Sequence, residues 1–111
     1  MQKAYLHLIK YALANNATIS VHDSEEWSVK RSTSYKEIKD CIESVDMSDL
    51  RIRDKDTKED LGWAGVLLER GQNPDESVYD FQTTPFLFAW DRQYKIENGQ
   101  EDLILEDLLA D

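Results

Sequence analysis

Two stretches of period-two alternation on either side of one amphipathic helix constrain this chain more than any other feature. In "TISVHDSEEWSVKRS", Ile19 and Val21 alternate with Ser20 and His22, and Trp27 and Val29 alternate with Ser28 and Lys30. Side chains of an extended strand point alternately to its two faces, so this pattern around the polar Asp23-Ser24-Glu25 predicts a β-hairpin. "STSYKEIKDCIESVD" then changes period. Tyr35, Ile38, Cys41, Ile42 and Val45 form an apolar stripe, and Lys36–Asp40 and Lys39–Glu43 stand at the i, i+4 distance on the wet side. Ser34 followed by Glu37 gives this helix a capping box. The alternation returns with Leu50 and Ile52 against Arg51 and Arg53, a polar turn near 54–60, and the apolar run Trp63 to Leu68.

The flanks add helices. Tyr5, Leu8, Ile9, Ala12 and Leu13 line one face of a helix over 3–14, ended by Asn15-Asn16. Thr84 and Pro85 read as N-cap and first helical position of a third, in which Phe86, Ala89, Trp90 and Tyr94 share a face before Asn98-Gly99. The predicted fold is α+β: helix, hairpin, helix, hairpin, helix, with a four-stranded antiparallel sheet covered on one face by helices. Residues 1–98 form one domain, with a loose ββα duplication over 18–46 and 49–95. Residues 99–111 form an acidic amphipathic C-terminal tail. Trp63 to Leu68 reads as a strand buried on both faces, with Phe86 and Trp90 packing over it. Gly62 and Gly65 leave room for a small pocket near Trp63 and Trp90.

A 111-residue chain with 41% hydrophobic residues can bury a core despite 32% charged ones. Its single cysteine excludes an internal disulfide and fits a reducing compartment, so a cytoplasmic location is expected. No apolar run approaches the roughly 20 residues that cross a bilayer. Lys3 and Ala12-Leu13-Ala14 loosely imitate a secretion signal, but His7 and Lys10 interrupt its apolar segment.

Catalytic and metal-binding patterns are sparse. Cys41 lies on an apolar stripe, and His7 and His22 belong to no motif. "DKDTKED" places Asp54 and Asp56 as a calcium loop would, but Lys58 and Glu59 stand where an oxygen ligand and the turn glycine belong. The four glycines are scattered singly, without a phosphate loop. No enzymatic activity, cofactor or metal is expected.

Charge points towards interaction. The net charge is −10, with 2 basic against 10 acidic side chains over residues 71–111. Such a surface repels phosphates, so neither direct nucleic-acid nor membrane binding is expected, and a partner with a basic surface is favoured. Leu105, Leu108 and Leu109, with Glu106 and Asp107, are the candidate contact residues, on a segment able to dock as a helix in a groove. Lys30, Arg51 and Arg53, with Ser28, form a second candidate charged surface if both hairpins join one sheet. The acidic tail folding back onto these bases is a further arrangement the charges allow, and an exposed sheet edge or the tail allows a homodimer.

"ISVHDSEEWSVKRSTSYKEIKDCIESVDMSDLRIRD" and "LGWAGVLLERGQNPDESVYDF" together resemble small accessory proteins encoded by tailed bacteriophages, over about residues 3–95 and by whole pattern. The resemblance carries over no functional residue. It implies expression inside an infected bacterium and a non-enzymatic protein-binding role that modulates or inhibits a host or defence protein. Two alternatives stand beside it: an acidic nucleic-acid mimic, and a small enzyme or ligand binder using the pocket near Trp63 and Trp90. Thirteen basic residues break up the acidic surface a mimic needs, leaving only 97–111 nearly pure.

Overall fold

The computed structural model describes residues 2–23 and 26–98. Helix α1 (Ala4–Ala14) leads into the hairpin of β1 (Ala17–Asp23) and β2 (Glu26–Ser32), followed by α2 (Tyr35–Glu43). Strands β3 (Met47–Asp54), β4 (Asp60–Leu67) and β5 (Val78–Phe81) make an antiparallel meander, and α3 (Pro85–Glu97) follows. The sheet order is β2-β1-β3-β4-β5, every pair antiparallel.

The α+β class and the single helical layer agree with the sequence. The strand count does not, since the sheet has five strands rather than four. Helix–hairpin–helix–hairpin–helix becomes helix–hairpin–helix–meander–helix. The added strand, "VYDF", has four residues, too few for a period to register, and directly follows a 3-10 turn at Pro74–Glu76. Its partner is β4, through Ala64↔Phe81, Gly65↔Asp80 and Val66↔Val78.

The two hairpins are joined at β1 and β3, whose register pairs Ile19 with Ile52 and Val21 with Leu50. These four, with Ala64 and Val66, make the fully buried floor on which all three helices lie. Leu8, Ile9 and Ala12 come down from α1, Ile38 and Ile42 from α2, and Leu87 and Trp90 from α3, in one continuous core. On α3 the buried face is Leu87, Trp90 and Tyr94, whereas Ala89 is exposed and Phe86 half-buried. Fully burying an aliphatic side chain of this size contributes about 1.5–3 kcal/mol before entropy is charged against it.

Caps and pins set the helices on the sheet. Ser34 Oγ accepts from Glu37 N (3.2 Å), while Ser34 N donates to Ser32 Oγ (3.0 Å), so the helix start is tied to β2. Thr84 Oγ1 accepts from Leu87 N (3.3 Å) and donates to the Leu61 carbonyl (2.7 Å), tying α3 to β4. Directly beneath, Gly62 has φ +128°, and a Cβ there would stand 2.7 Å from Leu87 Cδ1. Between α1 and α2, the Tyr5 hydroxyl donates to Glu43 Oε2 (2.5 Å), and Lys39 Nζ donates to the other carboxylate oxygen, Oε1, at 3.0 Å. The Tyr5 hydroxyl, with Lys39 adding to it, holds the Glu43 carboxyl below the usual carboxylate range. Burial, reinforced by Glu43, raises the Tyr5 phenol well above its ordinary value, so it stays a donor.

Two outcomes follow. Gly62→Ala combines a strained φ with the Leu87 collision and should destabilise by about 1–3 kcal/mol in denaturant unfolding; an unchanged midpoint would contradict the close approach. Because the folded pKa of Glu43 is lowered, its contribution is present above the unfolded carboxylate value, about 4.3, and is lost as pH falls through the folded one. Tyr5→Phe should therefore cost about 1 kcal/mol at neutral pH, with the gap to the parent protein narrowing below about pH 4. Melts across that range read it directly.

Candidate functional site

Helices cover one face of the sheet, and the chemistry gathers on the other. The register that points Ile19, Val21, Leu50 and Ile52 into the core turns Thr18, Ser20, His22, Asp49, Arg51 and Arg53 outward. Two rows cross this open face. One pairs His22 with Trp27 on one side and with Asp49 on the other, and Asp49 in turn with Gly65. The second runs from Ser20 through Arg51 to Trp63.

Aromatic side chains wall the first row. Trp27 stands edge-to-face with His22, ring centroids 5.0 Å apart, and is 43% exposed. On the far side stand Trp63, half-buried, and Tyr79, whose ring lies over Gly65. A Cβ at Gly65 would meet that ring at 2.6 Å, so the missing side chain is what lets Tyr79 lie against the sheet. Trp27 and Trp63 sit on strands three spacings apart, about 14 Å. Between them lies a hollow of about 370 Å³ floored by Asp49 and Arg51.

A basic basin of about 320 Å³ adjoins it, sharing Trp27 and Arg51 and lined also by Lys30, Arg31 and Arg53. Irregular pairing builds this basin. Ile19 pairs with Ser32 and Val21 with Val29, so Ser20 stands opposite two residues, Lys30 and Arg31. Such a bulge breaks the alternation and lets two consecutive side chains reach the same side. Arg31 takes φ +48°, rare for a residue with a side chain, and its N–H donates to Ser20 Oγ at 2.8 Å. Arg51 is held by Asp60 at 2.8 Å. Among the described residues, Lys30, Arg31 and Arg53 have no carboxylate within ion-pair distance.

The structure brings Lys30, Arg51 and Arg53 together and adds Arg31, which strict alternation with Lys30 would turn to the other face. Ser28 leaves the group. It is the extra residue of a second irregularity between Trp27 and Val29, and its hydroxyl donates to Asp23 beside Cys41 of α2. Leu105, Glu106, Asp107, Leu108 and Leu109 lie outside the described residues.

Among the described residues Trp63 and Trp90 do not share the pocket expected near them, because the sheet separates them. Trp63 belongs to the open face, so β4 is not buried on both sides as its apolar run suggested. Trp90 is 2% exposed beneath the helices. Its indole N–H donates to His7 Nδ1 at 3.1 Å, and His7 Nε2 is bonded to Glu97. Trp90 therefore leaves Nδ1 as acceptor and Nε2 as the protonated nitrogen. Both ring nitrogens are engaged, so His7 offers no free base to a substrate and instead ties α1 to α3. Burial raises the Cys41 thiol, which disfavours the reactive thiolate. Asp54 Oδ1 accepts from Asp56 N and Thr57 N, both 2.9 Å, closing its own turn. Among the described residues no group of three or more His, Cys, Asp or Glu side chains is disposed to hold a metal ion, and no helix is long and apolar enough to cross a membrane.

The three tryptophans thus differ sharply in exposure. Trp27→Phe should remove most of the acrylamide-quenchable indole fluorescence, while Trp90 stays protected; quenching unchanged by that substitution would contradict the open cleft. Compared with known proteins, the chain matches no family model, no curated protein and no solved structure.

Proposed function

We propose that this chain is a non-catalytic binding module whose recognition surface is the open sheet face, and that the partner is an extended acidic stretch of another protein. The observation that carries the reading is the bulge opposite Ser20, which sets Lys30 and Arg31 beside Arg51 and Arg53 next to an aromatic cleft. A left-handed conformation at a non-glycine residue costs on the order of 1 kcal/mol, and such strain concentrates where a surface has a task.

The two hollows share Trp27 and Arg51 and so form one elongated trough. A matching ligand is long, anionic at one end and apolar or aromatic at the other. Residues 1–98 hold all 13 basic and 18 of the 23 acidic side chains, so the cations form a local island on a body that is negative as a whole. The net charge alone favours a partner with a basic surface, and it is this local island that favours an acidic one; a nucleic acid, with one charge per roughly 1.7 Å of duplex, meets more of the long-range repulsion than a peptide of sparse carboxylates does. A peptide with spaced carboxylates can match the four cations while leaving Asp49 and Asp60 uncrowded. Capturing a host or defence protein in this way is the role that the resemblance to phage accessory proteins implies, with the basic face as contact rather than Leu105, Glu106, Asp107, Leu108 and Leu109.

The test uses a fluorescein-labelled peptide of alternating Glu with Val and Phe, and a labelled oligothymidylate of equal length, in anisotropy titrations at about 50 and about 150 mM salt. The peptide should bind, more weakly at the higher salt. Lys30→Glu with Arg53→Glu should weaken it about tenfold or more, about 1.4 kcal/mol, with an unchanged melting temperature. Absence of peptide binding, or indifference to charge reversal, would overturn the proposal. Preference for the oligonucleotide would give the face to single strands, which stack on aromatic walls.

A further inference from the structure

The aromatic half of the trough holds a charge that an acidic ligand leaves unused. Asp49 is the one carboxylate among the residues lining that hollow, and it has no ion-pair partner among the described residues. Arg51, the one cation of the same lining, is already engaged by Asp60 at 2.8 Å. The hollow therefore keeps an uncompensated negative charge beside a basin of the opposite sign.

Rings surround that charge. His22 stands one strand spacing from Asp49 on one side, and Gly65, beneath the Tyr79 ring, stands one spacing away on the other. Trp27 lies one strand beyond His22, and Trp63 two residues along from Gly65 on the same face of β4. Trp27 and Tyr79 are 43% and 49% exposed, so neither is spent on the core. Gly65 does not take a left-handed backbone, so its missing side chain serves the approach of the Tyr79 ring rather than a turn.

We propose that this hollow binds a methylated ammonium group, carried on a lysine side chain of the acidic peptide that the basin holds. The inference rests on the reading of the sheet face as a recognition surface and names what its aromatic end takes. A group seated over the Asp49 carboxylate has the Tyr79 ring about 5 Å to one side, within the roughly 6 Å at which an aromatic face attracts a cation. Trp27 and Trp63 close the two ends.

Two features select this occupant among cations. A primary ammonium brings three N–H donors and a guanidinium five, and one carboxylate among rings supplies few acceptors for them. Methylation keeps the charge and replaces the donors with apolar surface, which ring faces accept. The second feature is the neighbouring basin, which repels a free cation. Carboxylates on the same chain offset that repulsion, and because the two hollows share Trp27 and Arg51, nearby residues of one extended peptide reach both.

Three labelled peptides test it, identical in their alternating Glu and Val and differing at one central residue. That residue is lysine, trimethyllysine, or the neutral analogue with a tert-butyl carbon in place of the charged nitrogen. In anisotropy titrations the trimethyllysine peptide should bind about fivefold or more tighter than either of the others. Asp49→Asn should bring its affinity close to that of the neutral analogue, and Gly65→Ala, by displacing the Tyr79 ring, should shrink the same preference. Lys30→Glu with Arg53→Glu should weaken all three peptides alike and leave their ratio, which separates this inference from that of the basin. Equal affinities for trimethyllysine and its neutral analogue would overturn it, as would a lysine peptide that binds equally well. If no peptide binds, the acidic-partner reading fails and choline decides. Its methyl proton resonance should then move upfield on adding the protein, further than that of neutral neohexanol, and an unmoved resonance would overturn this inference too.

Discussion

The pairing of β1 with β3 is the constraint on which the rest depends. Six consecutive residues, Ala17 to His22, meet Asp54 to Asp49 without a break, and they join what would otherwise be two separate hairpins. An isolated two-stranded hairpin is marginal in water, whereas a sheet of three or more strands with one buried face is not. The same register divides the chemistry. Ile19, Val21, Leu50 and Ile52 support the helices, and Ser20, His22, Asp49, Arg51 and Arg53 face outward. A slip of one residue would exchange the two sets and place two arginines and an aspartate under the helices.

Around this regular centre the outer strands are irregular, and the irregularities make the surface. In β2, one extra residue turns Ser28 towards Cys41, and another sets Lys30 and Arg31 together opposite Ser20. In β5, a break between the Gly65 and Val66 pairs accompanies the Tyr79 ring lying flat over Gly65. Bulges on edge strands also discourage edge-to-edge association, so the same devices shape the trough and protect the sheet margins.

The buried polar groups serve the helical layer. Tyr5 with Glu43 fixes α1 to α2, His7 with Trp90 and Glu97 fixes α1 to α3, and Ser77 Oγ accepts from Tyr5 N at 3.2 Å. Each places a hydrogen bond where a bare polar atom would cost about 1–3 kcal/mol. Ser48 Oγ is the buried side-chain atom among the described residues without such a partner. These contacts join residues from 38 to 90 positions apart, and no local pattern announces them.

The sequence by itself determined the three helices, the first four strands and the sides of β1 and β3 that face the core. Periods of 3.6 and 2 are local and repeat often enough over 7–13 residues to be read. It likewise determined that Thr84 and Ser34 cap helices, since a cap needs only its next three residues. Tertiary structure alone decided that "VYDF" is a strand, because four residues acquire their pairing from β4 and not from a pattern of their own. It also decided that Trp63 and Trp90, which the sequence placed together around one small pocket, lie on opposite sides of the sheet. Above all it decided the basic trough: Arg31 joins Lys30, Arg51 and Arg53 only because a bulge cancels the alternation that would have turned it away. A bulge is set by the partner strand's register, and that partner lies beyond the reach of any local reading.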